Sequence, residues 1–192
     1  MQNSILEVNN LSKSYYDMDS EIKALDNINF SIKDKEIIAI VGPSGCGKST
    51  ILSILAGIED KTLGNIVSKE ELVFGYMLQT DSLFEFKTIF ENAILGLKIK
   101  KLDTKENIDR VNNLLHKYGL SDFKDKYPSS LSGGMRQRVA LIRTLAINPD
   151  ILLLDEPFSA LDYQTRLILS DDLYKIIKAE EKALIIVTHD IA

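Results

Sequence analysis

The sequence has no tryptophan, a single cysteine, four prolines and two histidines in 192 residues. One cysteine, Cys46, cannot form an internal disulfide, which fits a reducing compartment. Long apolar runs are missing as well. The longest uninterrupted ones, Ile37 to Val41 and Ala183 to Val187, are five residues each, whereas a helical membrane span needs about 20. The first residues, MQNSILEVNN, lack a basic region followed by an apolar stretch, so no secretory signal is read there. Positive charge is not in excess: 23 Lys+Arg against 28 Asp+Glu give a net charge of −5. A general nucleic-acid binder would need the opposite balance to displace counterions. Repeats and low-complexity stretches are also lacking. What remains is 45% apolar and 27% charged, the composition of a folded chain with a substantial core. The length corresponds to roughly 1.3 domains, hence one domain with an inserted subdomain.

Residues 4–8 and 22–32 alternate apolar and polar residues loosely, as half-buried strands do. Glu36 to Val41 is a short apolar run ending in a glycine-rich turn. From Ser49 the spacing of Ile51, Leu52, Leu55 and Ile58 becomes helical. Further buried strands are read at 151–154 and 183–187. Such runs, separated by helical stretches, predict a parallel sheet covered on both faces. From about residue 80 to 130 the character changes: helices are read at 91–97 and 107–118, with lysines concentrated from Lys98 to Lys126. This region is expected to be a helical subdomain inserted into an α/β core, its charges a solvated face.

Residues 42–50, GPSGCGKST, match G-x-x-x-x-G-K-[ST] through Gly42, Gly47, Lys48 and Ser49. Glycines let backbone N–H groups and a helix N-terminus converge on phosphate. Lys48 can reach the β- and γ-phosphates, and the Ser49 hydroxyl can ligate Mg²⁺. The strand before and the helix after are the context such a loop requires. Residues 151–156, ILLLDE, end a buried strand in a carboxylate pair. Asp155 can stand beside the same Mg²⁺, and Glu156 can orient or deprotonate an attacking water. Residues 131–138, LSGGMRQR, place Ser132, Gly133 and Gly134 at another helix start. By itself this is either a plain N-cap or a second phosphate site, usable by a molecule facing head to tail.

The ordered set GPSGCGKST, Gln79, LSGGM, ILLLDE, Ser159 to Asp162 (SALD) and His189 resembles the nucleotide-binding subunit of ATP-binding cassette (ABC) transporters, from about Leu11 onward. The resemblance implies a P-loop NTPase core with a mostly parallel sheet, an N-terminal antiparallel β-subdomain and an inserted helical subdomain. It implies a single ABC ATPase domain over 1–192, with 1–79 and 137–192 as the nucleotide-binding core and 80–136 as the helical subdomain. ATP and Mg²⁺ are the implied ligands, contacted by Gly42, Pro43, Ser44, Gly45, Cys46, Gly47, Lys48, Ser49 and Thr50. Tyr15 matches the aromatic that stacks on adenine, with Tyr16 as its rival. Gln79, with Ser49 and Asp155, is implied at the metal; Glu156, His189, Gln79 and Lys48 are implied in catalysis. Asp162 matches a loop communicating across a dimer. His116 has no such support and reads as a surface residue. Two subunits would sandwich two ATP molecules between Lys48 of one and Ser132, Gly133 and Gly134 of the other. Implied partners are a second ATP-binding subunit (an identical chain in the simplest case), transmembrane permease subunits and, indirectly, an extracytoplasmic solute-binding protein; no nucleic acid is implied. The chain would lie peripherally on the cytoplasmic face of the membrane. Leu83, Phe84 and Phe86 are either the docking stretch for the permease or ordinary core.

LSGGMRQR with DEPFSALDYQTR is most similar to the nitrate, sulfonate and taurine group of importer ATPases, with Met135 replacing the commoner glutamine. The segment from Ala56 to Gln79 reads as a trimmed hairpin. Because the sequence stops three residues after His189, a C-terminal truncation is expected, with an unprotected edge beyond the His189 strand. The competing reading is a non-transport ABC-class ATPase acting on nucleic acid or in translation. A small-molecule kinase would leave LSGG and His189 without a role.

Overall fold

The computed structural model describes residues 4–17, 20–68, 70–157 and 163–189. Contacts divide the chain into two compact units: 1–76, 150–156 and 177–192 form one; 77–149 and 157–176 form the other.

The first unit begins with β1 (Ser4–Asp17) and β2 (Ser20–Lys33), which pair antiparallel, and β4 (Leu63–Ser68) pairs antiparallel with the other edge of β1. A second sheet has the order β3-β7-β6-β5, from β3 (Ile37–Val41), β5 (Phe74–Met77), β6 (Ile151–Asp155) and β7 (Ala183–Thr188). In it β3 and β6 both run parallel to β7. Helix α1 (Lys48–Leu55) turns Ile51, Leu52, Ile54 and Leu55 into a core shared with both sheets. Leu6, Val8 and Leu11 reach it from β1, and Ile151, Leu153, Ile185 and Val187 from β6 and β7. Every residue of β6 is buried, so its unbroken apolar run reflects cover on both faces.

Three expectations change here. The run 37–41 is not buried on both faces. Strand β3 is a sheet edge, Ile38 and Ile40 pack on the core, and Ile37 and Val41 point outward. The strand carrying His189 at its end is not an edge, since β7 lies between β3 and β6. The segment after α1 is not a hairpin, because its strands β4 and β5 belong to different sheets.

The second unit is helical: α2 (Ile89–Ala93), α3 (Leu95–Ile99), α4 (Lys105–Lys117), α5 (Gly133–Ala146) and most of α6 (Tyr163–Ala179), with short 3₁₀ turns at Ser121–Phe123 and Pro128–Ser130. The helix expected at 91–97 is split in two at Ile94, whose φ of −91° and ψ of 2° leave the helical region. Thr88 and Glu91 start α2 with a reciprocal capping box. Thr104 and Ser132 cap α4 and α5 through their side-chain oxygens.

The different exposure of β6 and β3 sets two unequal costs. Leu153→Ala empties a fully buried site and should cost about 2–5 kcal/mol, whereas Ile37→Ala, at a position 42% exposed, should cost under about 1 kcal/mol. Urea denaturation of the two variants checks the order.

Candidate functional site

Where β3 ends, the chain turns through residues 42–47 and enters α1 at Lys48. Gly45 and Gly47 sit at φ +77° and +94°, in the left-handed region that glycine adopts without strain. At Gly47 the requirement is also steric: a Cβ would lie 2.4 Å from the Ala24 carbonyl oxygen of β2. At Gly45 a Cβ would meet nothing within 4 Å, so the loop is open on that side. The first-turn N–H groups of α1 lack intrahelical acceptors, and the helix dipole favours an anion there. Lys48 is only 6% exposed, and its Nζ donates to the carbonyls of Gly42 and Pro43 at 2.9 Å each. The same Nζ stands 3.5 Å from Oε1 of Glu156.

The strand ends of β6 and β7 complete this side of the molecule. The buried Asp155 carboxylate accepts a hydrogen bond from Ser49 Oγ at 2.9 Å on Oδ1 and from the Tyr76 hydroxyl at 3.1 Å on Oδ2. Glu156 then leaves the strand at φ +42°, its N–H donating to Val187 O at 3.0 Å. A non-glycine residue in that conformation is strained, and the turn aims its carboxylate back across the strand ends. Oε2 lies 3.0 Å from His189 Nδ1. One carboxylate is thus shared between a buried ammonium and an imidazole. Lys48, Ser49, Asp155, Glu156 and His189, read from separate stretches of sequence, are brought together in one unit.

The donor set beside Ser49 fits a hard cation. A hydroxyl and a carboxylate oxygen are 2.9 Å apart, and no cluster of three or more His, Cys, Asp or Glu able to hold a metal occurs among the described residues. Two protein oxygens with substrate phosphates and water suit Mg²⁺, which keeps much of its hydration. Tyr15, also in this unit, has Lys13 Nζ 4.9 Å from its ring centroid. The neighbouring Glu59 side chain, with burial, raises the Tyr15 phenol above its ordinary value, and the nearby Thr50 of the phosphate loop opposes that rise. Tyr16, the next residue along β1, is more exposed. Cys46 is exposed in the loop itself.

The second unit holds Gln79, exposed just after β5, and Ser132, Gly133 and Gly134 at the start of α5. Ser132 Oγ accepts from Met135 N at 3.4 Å, so the capping role is present in this arrangement. Arg136, within LSGGMRQR but carrying none of its implied roles, and Arg143, outside every motif, tie the stretch after Gln79 to α5. Arg136 donates to both oxygens of Asp81 at 2.8 and 3.0 Å and reaches Glu85 at 2.7 Å; Arg143 donates to the carbonyls of Asp81 and Ser82. The buried Asn92 side chain bonds the backbone of Phe84, Lys87 and Thr88. Leu83 is buried, whereas Phe84 and Phe86 are exposed as an edge-to-face pair 5.5 Å apart. His116 is exposed on α4. Ser159 to Asp162 lie outside the described residues.

The ABC transporter family model matches residues 25–159, most of the chain. The chain belongs to the ABC transporter family. This ABC domain is 45% identical over 194 residues to the uncharacterized ABC transporter ATP-binding protein YtlC of Bacillus subtilis, covering 98% of this chain and 75% of that protein. It is 40% identical to the sulfate/thiosulfate import ATP-binding protein CysA of Pseudomonas aeruginosa, over 96% of this chain and 59% of that protein. It is 38% identical to the aliphatic sulfonates import ATP-binding protein SsuB of Bacillus anthracis, over 97% and 75%. Among solved structures it superimposes on cbiO1 of Clostridium perfringens, part of the transporter complex cbiONQ, with TM-score 0.83 and 30% identity over 99% of this chain and 80% of that one. A dimeric post-hydrolysis state of the cassette MJ0796, bound to ADP and Pi, gives TM-score 0.79 and 33% identity over 97% and 88%. The ABC domain is accordingly an ATP-binding ATPase of P-loop fold. No helix among its described residues is long and apolar enough to cross a membrane.

Burial alone would raise the Asp81 carboxyl, but the Arg136 guanidinium and the Leu83 N–H outweigh it and hold the carboxyl below its ordinary value. A carboxylate depressed in the folded state contributes stability above its unfolded value of about 3.9, and that contribution is lost as pH falls through the folded value. Asp81→Asn should therefore cost about 1–2 kcal/mol at neutral pH. The difference from wild type should shrink as the pH drops below the aspartate range, as chemical denaturation across pH will show.

Proposed function

We propose that this ABC domain is the ATP-driven motor subunit of a membrane importer, and that Lys48, Glu156 and His189 form its hydrolytic line. The observation that carries the reading is the Glu156 carboxylate, held 3.5 Å from Lys48 Nζ and 3.0 Å from His189 Nδ1. It stands beside a helix N-terminus built to face phosphate. The Lys48 ammonium is compensated by Glu156 and by two loop carbonyls. The β- and γ-phosphates of ATP offer Lys48 a stronger counter-charge, so binding releases Glu156 from its ion pair. Glu156 then faces His189 and the water to be activated, and His189 reports on the γ-phosphate. Mg²⁺ would be held by Ser49 and Asp155 and would supply charge neutralisation on the phosphate oxygens. Backbone and side-chain groups of Gly42, Pro43, Ser44, Gly45, Cys46, Gly47 and Thr50 surround the phosphates. Tyr15 takes the adenine; its lesser exposure favours it over Tyr16.

Ser132, Gly133 and Gly134 serve the nucleotide of a second copy facing head to tail, with 80–136 acting as the helical subdomain that carries this motif. ATP bridging the two copies shifts the pair toward the closed state, and hydrolysis removes the bridge. The second subunit is an identical chain in this reading, and permease subunits receive the movement near Gln79, Phe84 and Phe86. The domain works peripherally on the cytoplasmic face of the membrane. Sulfate and sulfonate importers among the relatives support an oxyanion or sulfonate-type cargo, in line with the nitrate, sulfonate and taurine group, delivered by an extracytoplasmic binding protein.

Glu156→Gln tests this directly. It should still bind ATP, hydrolyse it at least about 10²-fold more slowly, and accumulate as an ATP-dependent dimer in gel filtration. Phosphate release near the wild-type rate would overturn the role of Glu156.

A further inference from the structure

We propose that Tyr76 is a positioning residue for the divalent cation: its hydroxyl holds Oδ2 of Asp155 so that Oδ1 is presented to the metal together with Ser49. The proposal rests on the reading of Ser49 and Asp155 as metal-facing groups.

The buried Asp155 carboxylate has two oxygens, and each accepts from a different element. Ser49 of α1 donates to Oδ1 at 2.9 Å and Tyr76 of β5 to Oδ2 at 3.1 Å. A cation entering beside Ser49 and Oδ1 takes a lone pair of the serine oxygen, which stays available while the hydroxyl hydrogen serves Oδ1. The Tyr76 bond lies on the other oxygen and persists. It then prevents rotation of the carboxylate about its Cβ–Cγ bond and satisfies an oxygen that burial keeps from water; a buried acceptor left without a donor is costly. Ser53 lies one turn beyond Ser49 on the same side of α1, and its side chain neighbours the Tyr76 hydroxyl. Only Met77 and Leu78 separate Tyr76 from Gln79, so the strand that orients Asp155 is the one that leads into the Gln79 segment.

The test compares the wild type, Tyr76→Phe and Asp155→Asn by equilibrium titration with ATP, first in EDTA and then at graded Mg²⁺. Tyr76→Phe should bind metal-free ATP as the wild type does, while its half-saturating Mg²⁺ rises about ten- to a hundredfold, the scale of one hydrogen bond to a charged group. A purely structural role would move metal-free and metal-dependent binding together, and that result overturns the proposal. If Asp155→Asn shifts the Mg²⁺ dependence and Tyr76→Phe does not, the proposal fails and the parent reading stands. If Asp155→Asn leaves the Mg²⁺ dependence unchanged, the parent reading fails and takes the proposal with it. Should Tyr76→Phe lose its cooperative melt, Ser53→Ala provides the same comparison: a smaller rise in half-saturating Mg²⁺ supports the proposal and no rise overturns it.

Discussion

An ammonium group with only 6% of its surface exposed must find compensation within the protein, and the way Lys48 finds it organises the site. Two loop carbonyls and the Glu156 carboxylate surround Nζ. To supply them, the loop must curl tightly, which requires the left-handed glycines, and β2 must lie close enough to exclude a side chain at Gly47. Glu156 in turn must leave β6 in a strained conformation, pinned by Val187 O. In the proposed function a phosphate group competes for the partnership of Lys48 and Glu156, which links binding and chemistry in one pair of side chains.

Asp155 shows the same economy with neutral donors. Its two oxygens are taken by hydroxyls from α1 and β5, which orient the carboxylate. The second unit uses full charges instead: Arg136 pairs with Asp81 and Glu85, and Arg143 holds the backbone beside Asp81. These bonds anchor the stretch following Gln79 to the helix that begins with Ser132, Gly133 and Gly134.

Much of this was legible in the residues because the chemistry is local. The spacing from Gly42 to Ser49 specifies a loop whose neighbours along the chain are also its neighbours in space. The unbroken run of β6 announces a buried strand whose last residue must be polar. What could not be read came from pairings across the chain. Tyr76 looks like one more aromatic in a strand until β5 is placed beside β6. Arg136 looks like a solvated charge until Asp81, 55 residues earlier, meets it. Ile37 and Val41 read as core because an edge strand and a central one share the same composition; only the strand order β3-β7-β6-β5 separates them. The break at Ile94 went unread for a related reason. Capping by Thr88 and Glu91 marks where α2 starts, but nothing in the apolar spacing of 91–97 marks where it stops.

The account depends on Lys48 exchanging Glu156 for nucleotide phosphate, and a calorimetric titration of Lys48→Ala with ATP in EDTA examines that exchange without hydrolysis. Loss of a charge-assisted contact to phosphate should weaken binding about ten- to a hundredfold relative to wild type. Unchanged affinity in a variant that still melts cooperatively would contradict the account.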